Sequence, residues 1–138
     1  MKSLMSLRRF LTALSILGMS SSVAVADISG LFKTEPNEEG KYITVSFDAC
    51  EDGSGLYCGT IAGAYDENDE PNDEYEHLGR QIVWKMESKG SGHFEGGMIW
   101  APDTDKTYNS QMKLEGNTLT VEGCILFICR GQDWTRVE

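Results

Sequence analysis

Residues 106–124, KTYNSQMKLEGNTLTVEGC, decide the fold class. In the first half, mostly larger side chains occupy every second position and polar ones lie between them: Tyr108, Ser110, Met112 and Leu114 against Asn109, Gln111 and Lys113. Leu119 and Val121 resume the alternation after the turn string at residues 115–117. A period of two is typical of a strand that turns one face to the core and the other to water. The stretch therefore predicts two antiparallel strands joined by a tight turn.

The same alternation recurs along the rest of the chain, separated by strings rich in Gly, Asn and Asp. It predicts eight strands, near residues 28–34, 41–49, 56–64, 79–87, 93–100, 106–114, 117–125 and 130–137. Short links between consecutive strands favour antiparallel, up-and-down order. The predicted fold class is all-β, a small eight-stranded antiparallel up-and-down barrel. Such a barrel is just wide enough to be filled by side chains or to hold one small ligand.

The first 26 residues have the three parts of a secretory signal peptide. Lys2, Arg8 and Arg9 form a basic start, FLTALSILGM (10–19) is an apolar core, and residues 24–26 (Ala-Val-Ala) are a small-residue cleavage site. The apolar run is too short for a permanent membrane span. We expect cleavage after Ala26, a single domain at 27–138, and a periplasmic or secreted protein.

The charge of the chain limits its partners. Its 138 residues carry 12 basic and 22 acidic side chains, a net charge of −10. Removing residues 1–26 takes away three basic residues and no acidic one, which leaves −13. This acidity argues against nucleic-acid binding, which needs a basic face. It also predicts no attraction to anionic lipid, and we expect no membrane insertion after cleavage.

Four cysteines remain after the leader: Cys50, Cys58, Cys124 and Cys129. Export would place them where disulfides persist. Local pairs, Cys50–Cys58 and Cys124–Cys129, are favoured because they close with the least rearrangement; a crossed pairing such as Cys50–Cys124 stays open. A four-cysteine zinc site is disfavoured, because only the second pair has zinc-like spacing.

Several strings taken together resemble the exported bacterial family DUF2147. They are LYCGTI (56–61), LGRQIVWKM (78–86), FEGGMIWAP (94–102), KTY (106–108), LTVEGC (119–124) and CRGQDWTRV (129–137). The resemblance covers essentially the whole of 27–138. It implies a small exported β protein with no assigned reaction.

The two ends of the domain also resemble those of lipocalins, which open with a Gly-x-Trp strand and end with an Arg across the Trp. Here Gly30-Leu31-Phe32 opens the domain with Phe in place of Trp, and Trp134 and Arg136 close it. The resemblance implies a lipocalin-like barrel closed by a cation–π contact between Phe32 and Arg136.

An inward aromatic and methionine set is expected to form most of the core: Trp84, Phe94, Met98, Trp100, Tyr108, Met112 and Trp134. Those near one mouth could instead line a pocket for a small apolar or amphipathic molecule. The candidate ligand-binding residues are Trp84, Met98, Trp100, Tyr108 and Trp134.

The sequence offers little catalytic or metal-binding chemistry. The acidic stretch DENDEPNDEYEH (66–77) has Pro71 and His77 where an EF-hand needs Gly and Glu, so a solvated surface loop is expected. Glu95, Asp103 and Asp105 with Arg80 could form an acid–base set only if the fold gathers them. No catalytic residue, metal or cofactor is predicted.

These observations favour a non-catalytic, exported barrel that binds a small apolar or amphipathic ligand or an envelope component. One alternative is a structural or interaction protein of the envelope with a filled barrel. A hydrolase using acidic residues is a further alternative. The sequence does not indicate the oligomeric state.

Overall fold

The computed structural model describes Gly18 and residues 27–138. The predicted signal peptide, apart from Gly18, lies outside these residues. Eight strands are present: β1 (Gly30–Lys33), β2 (Tyr42–Ala49), β3 (Tyr57–Tyr65), β4 (Gln81–Gly90), β5 (His93–Ala101), β6 (Lys106–Glu115), β7 (Thr118–Ile125) and β8 (Ile128–Arg136). All eight predicted strands are confirmed, with ends that differ by at most three residues.

Each strand pairs antiparallel with the next, and β8 pairs with β1, so the sheet closes into a barrel. The predicted fold class is confirmed. The β1–β8 seam has two paired positions, Phe32 with Arg136 and Lys33 with Thr135. Backbone bonds extend this seam, since the Leu31 amide donates to the Glu138 carbonyl at 2.9 Å and the Val137 amide to the Leu31 carbonyl at 2.8 Å. In the described part of the chain, no helix is long and apolar enough to cross a membrane.

Antiparallel order places alternate connections at opposite ends of the barrel. We call the end with residues 34–41, 66–80, 102–105 and 126–127 the open end. The closed end carries the 50–56 loop, the turns at 91–92 and 116–117, and both described termini. The turn at 116–117 is two residues long, and Gly116 adopts a φ of 59°, which suits glycine at the first position of a tight hairpin turn.

Both favoured disulfides are confirmed. Cys50 bonds to Cys58 and Cys124 bonds to Cys129, and no free cysteine remains among the described residues. The crossed pairing is therefore absent, and the thiolates that a zinc site would need are oxidised. Disulfides of this kind are typical of an oxidising compartment.

The core fills the barrel towards the closed end. Ile28, Phe32, Met86 and Phe94 are each fully buried there. The ring of Phe32 meets that of Phe47 edge-on at 5.7 Å between centroids, an arrangement favoured by aromatic quadrupoles. Ile28 precedes β1, so the segment before the first strand contributes to the core at this end.

A paired irregularity on β4 and β5 changes which side chains point inward. Lys85 has a φ of 58° and Gly96 a φ of 77°, so alternation is interrupted on both strands. On the open-end side of this irregularity, Val83 pairs with Ile99, and Ile99 pairs with Tyr108. Tyr108 lies on the inward face of β6. Trp84 pairs with Met98, and Met98 pairs with Asn109, which lies between the inward positions of β6. The pair Trp84 and Met98 therefore lies on the outer face.

The predicted inward orientation of Trp84 and Met98 is consequently wrong. Strict alternation would extend the inward face from Met86 to Trp84 and from Phe94 to Met98. The irregularity shifts the alternation by one position on each strand, so Trp84 and Met98 take the opposite face. Both side chains are half-buried on the outside of the wall. The other five members of the set remain buried or half-buried.

Candidate functional site

A cavity of about 790 Å³ opens at the open end of the barrel. Its volume falls in the range of about 300–1,000 Å³ that small-molecule sites occupy. All eight strands or their adjoining loops contribute to its wall. The strands therefore define its depth, and the loops define its mouth.

The inner wall of the cavity is apolar. The hydrophobic residues that line it include Ile43, Ala64, Ile82, Ile99, Val121 and Trp134. Trp134 is 3% exposed, and its indole N–H donates to the side-chain oxygen of Gln132 at 3.1 Å. Its ring also packs against Phe47 of the core at 6.2 Å between centroids. Trp134 thus connects the filled part of the barrel with the cavity.

The cavity has unfilled space beside Tyr108 and Gly123. Both line the cavity beside Ile99. A Cβ added at Gly123 would lie 3.5 Å from the Tyr108 Cβ and 3.6 Å from the Ile99 Cγ2, which is ordinary van der Waals contact. The backbone of Gly123 lies outside the left-handed region, so a larger side chain is compatible with its conformation. The position can therefore be used to fill the cavity.

Trp100 is fixed at the mouth by three contacts. Its indole N–H donates to the Asp105 carboxylate at 2.8 Å, and the Arg80 guanidinium lies 3.3 Å from its ring centroid. The His77 ring meets it edge-on at 4.9 Å. With 4% of its surface exposed, Trp100 borders the cavity as a rigid part of the rim.

The acidic loop is folded onto the mouth and is the predicted surface connection between β3 and β4. Asp66 orders it by accepting the amides of Asn68 and Glu70, each at 2.9 Å. The Tyr42 hydroxyl donates to the Asp69 carboxylate at 2.7 Å. This hydrogen bond is the largest cause, and burial the second largest, that raises the pKa of Tyr42 to about 12. Tyr42 also stacks on Tyr65 at 5.0 Å between centroids.

The mouth has an excess of negative charge. The cavity is lined by four carboxylates, Glu35, Asp66, Glu76 and Asp103, against two cations, Lys41 and Arg130. Tyr75, also at the mouth, responds to this field. Burial first, and then the carboxylates of Asp103 and Glu76, raise the pKa of Tyr75. A carboxylate on a ligand would meet the same repulsion.

The structure gathers part of the predicted ligand set. Trp100, Tyr108 and Trp134 line the cavity. Met98 borders a shallow outer depression beside residues 106–109 and 124–126, and Trp84 pairs with it on the outer face. The ligand-binding role of all five residues stays a prediction.

At the closed end, the Arg136 guanidinium lies 4.7 Å from the ring centroid of Phe32. Two backbone carbonyls before β1 also accept from Arg136, that of Ser29 at 2.6 Å and that of Asp27 at 2.7 Å. The Asp27 carboxylate in turn accepts a hydrogen bond from the Ser29 amide. Hydrogen bonding to Ser29 is the main reason that the pKa of Asp27 lies below its usual range. Arg136 thus ties the segment before β1 across the base of the barrel.

The residues considered for acid–base chemistry do not form one site. Glu95 pairs with Glu87 away from the mouth, whereas Asp103 lines the cavity and Asp105 accepts from Trp100. Arg80 stacks on Trp100. One other cluster, Glu122 with Cys124 and Cys129, brings ligand atoms within 4.8 Å of one another, but its sulfurs are joined in a disulfide. A metal site there would lack thiolates.

Sequence reasoning missed two groups of residues at the open end. The first comprises the aromatic residues of the rim, Tyr42, Tyr65 and Tyr75. The second comprises four consecutive exposed apolar residues between Cys124 and Cys129. The second group had a visible signal, the uninterrupted apolar run ILFI at 125–128. The first depends on a long loop folding back, which alternation does not predict.

A closed eight-stranded antiparallel barrel with a cavity at one end defines a lipocalin-like protein. A solved structure described as "Protein HP1028 from the human pathogen Helicobacter pylori belongs to the lipocalin family" is similar, with a TM-score of 0.64 and 16% sequence identity. The match covers 81% of this chain and 84% of that one. At this identity the likeness shows the fold.

The sequence then places the chain in a family. The family model described as "Uncharacterized protein conserved in bacteria (DUF2147)" matches residues 30–136. The chain belongs to this family, and the resemblance drawn from its motifs is confirmed. No curated protein matches the sequence.

Proposed function

We propose that this protein is an exported binding module that holds a small apolar or amphipathic molecule in the open end of its barrel. The observation that carries the proposal is the cavity of about 790 Å³ with an apolar inner wall and a polar mouth. A site of this form buries the apolar body of a ligand and orients its polar end. The leader-like residues 1–26 and the two disulfides support export.

The charges of the mouth favour a ligand with a neutral or cationic polar end. Four lining carboxylates face two lining cations, and the neighbouring acidic loop adds further negative charge. We therefore expect dodecyltrimethylammonium, below its micelle concentration, to displace an apolar probe at lower concentration than dodecanoate. Equal displacement by both would contradict this choice of polar end.

The test of the proposal is a titration with the neutral fluorescent probe N-phenyl-1-naphthylamine. Gly123→Leu places a branched side chain in the cavity without a backbone clash, because the first added carbon makes only ordinary contacts. We expect it to weaken probe binding by about tenfold or more, since loss of a few buried methylenes of contact has that effect.

Ala62→Leu is the matched control for this titration. Ala62 is exposed on β3, so the variant places the same leucine side chain outside the cavity. Probe affinity should stay at the wild-type value. A wild type that does not bind the probe, or an equal loss in both variants, would remove the support for a cavity ligand.

A further inference from the structure

Four consecutive apolar side chains stand exposed at the open end. We call residues 125–128 the apolar tip. The exposed fractions are 63% for Ile125, 88% for Leu126, 100% for Phe127 and 70% for Ile128. Contiguous exposed apolar groups at the tip of a hairpin are unusual in a monomeric protein and mark an interaction site.

The backbone of the tip is also unusual for its sequence. Leu126 has a φ of 54°, in the left-handed region. Glycine or asparagine adopts this conformation at lower cost than leucine. The position therefore holds a large apolar side chain in solvent where a small or polar residue would be more stable.

The disulfide at the base of the tip holds it together. Cys124 and Cys129 are directly paired across β7 and β8, with their Cα atoms 4.1 Å apart. Two residues extend beyond each cysteine, so the tip reaches about 7 Å past the disulfide. Apolar groups of membrane-surface proteins enter the interface to a comparable depth of about 5–10 Å.

The shape and charges beside the tip identify the class of partner. The tip projects beyond the disulfide and is exposed on all four residues, so it suits a soft surface that closes around it. Lys106 borders the depression that Ile125 and Leu126 line, and Arg130 directly follows Cys129. Neither cation belongs to an ion pair in the described part of the chain. Cations beside an inserted apolar group can reach lipid phosphates.

We propose that the apolar tip inserts into the interface of a zwitterionic phospholipid bilayer and holds the open end of the barrel at the lipid surface. The acidic loop shares this end, and it opposes binding to anionic lipid. The proposal thus agrees with the charge-based expectation for anionic membranes, whereas it departs from the expectation of no insertion. The cavity mouth lies beside the tip, because Gly123 and Arg130 line it.

The test is flotation of the protein, expressed from the full-length gene, with phosphatidylcholine vesicles. The double variant Leu126→Asn with Phe127→Ser removes two apolar side chains and gives the left-handed position a residue that suits it. We expect the variant to bind vesicles at least about tenfold more weakly. Its unfolding midpoint should equal or exceed that of the wild type, because both side chains are exposed.

The control is Val137→Ser, which removes an exposed apolar side chain, 47% exposed, at the closed end. It should float as the wild type does. Replacing half of the lipid with phosphatidylglycerol should weaken wild-type binding at low salt, and added salt should reduce this difference. Stronger binding to the anionic vesicles would overturn the proposed lipid preference.

Three further results would overturn the proposal. The first is a wild type that does not bind phosphatidylcholine vesicles, and the second is a double variant that binds as well as the wild type. The third is a native mass that shows a dimer in the wild type and none in the double variant. The last result would assign the tip to a second copy of the chain. Gly123→Leu should leave flotation unchanged, so failure of the lipid proposal is distinguishable from failure of the cavity proposal.

Discussion

The Cys50–Cys58 loop and the Cys124–Cys129 loop each close a short connection between neighbouring strands, at opposite ends of the barrel. The first encloses the exposed turn string EDGSG (51–55), followed by half-buried Leu56 and Tyr57, and has Gly53 and Gly55 at positive φ. The second encloses four apolar residues and has Leu126 at positive φ. The closed-end loop follows ordinary turn chemistry, whereas the open-end loop departs from it. Such departures are expected where function outweighs local stability.

The same contrast holds for the barrel interior. Towards the closed end, aromatic and aliphatic side chains are fully buried, and Arg136 ties the segment before β1 across the base. Towards the open end, the interior is a cavity with a charged mouth. Stability and binding should therefore respond to substitutions at different ends.

The largest effect should come from Phe32→Ala. Phe32 is fully buried under Arg136 and against Phe47, so its removal leaves a cavity in the core. We expect the free energy of unfolding to fall by about 3–5 kcal/mol, measured by urea denaturation. The molecules that remain folded should bind the apolar probe with near wild-type affinity. A specific loss of affinity without destabilisation would contradict the separation of the two ends.

The two disulfides should have similar effects on stability and different effects on lipid binding. Replacing both cysteines of either pair with serine should cost about 2 kcal/mol, because both loops are short and close in length. Only the Cys124→Ser with Cys129→Ser variant should also weaken flotation with phosphatidylcholine vesicles, since its tip is no longer held. Equal flotation of the two double variants would contradict the claim that the Cys124–Cys129 disulfide holds the tip for lipid binding.

A smaller effect distinguishes the outer from the inner aromatic residues. Trp84 lies on the outer face, so Trp84→Ala should leave probe affinity within about twofold of the wild type. Tyr108 lines the cavity, so Tyr108→Ala should weaken probe affinity several-fold. Fluorescence titration of both variants measures the difference. An equal loss in both would reinstate the inward orientation of Trp84.

The smallest effect is spectroscopic. The pKa of Tyr42 is raised to about 12 because its hydroxyl donates to Asp69. Since the pKa of Tyr42 in the folded protein exceeds the ordinary tyrosine value of about 10, this contact contributes fully to stability below about pH 10. The contribution is lost as pH rises through about 12. Absorbance titration of tyrosinate should lose its late-titrating component in Tyr42→Phe. A variant with an unchanged titration curve would contradict the assignment.

The fold could be predicted from the sequence because its signals are local. Alternation and turn residues define each strand, as at Tyr108–Leu114 and Gly116, and consecutive antiparallel strands then determine the barrel order. Local disulfides followed from the same reasoning. The resemblance of the two ends of the domain to those of lipocalins added the closure by Phe32 and Arg136.

The site was less predictable because its geometry depends on contacts between distant residues. Lys85 adopts a positive φ that its residue type does not indicate, and this reverses the faces of Trp84 and Met98. The contact of Tyr42 with Asp69 spans 27 residues. The exposure of Phe127 arises because the tip has no covering partner in the described chain, whereas hydropathy alone favours burial.

The most direct test of the cavity is the native mass of the protein expressed from the full-length gene and purified under mild conditions, recorded before and after denaturation. We expect an added small-molecule mass on the wild type that disappears on denaturation and is absent or reduced in Gly123→Leu. We also expect a denatured mass four hydrogens below the reduced value, for two disulfides. A bare native mass in the wild type, together with no binding of the apolar probe, would contradict the claim that the open end holds a ligand.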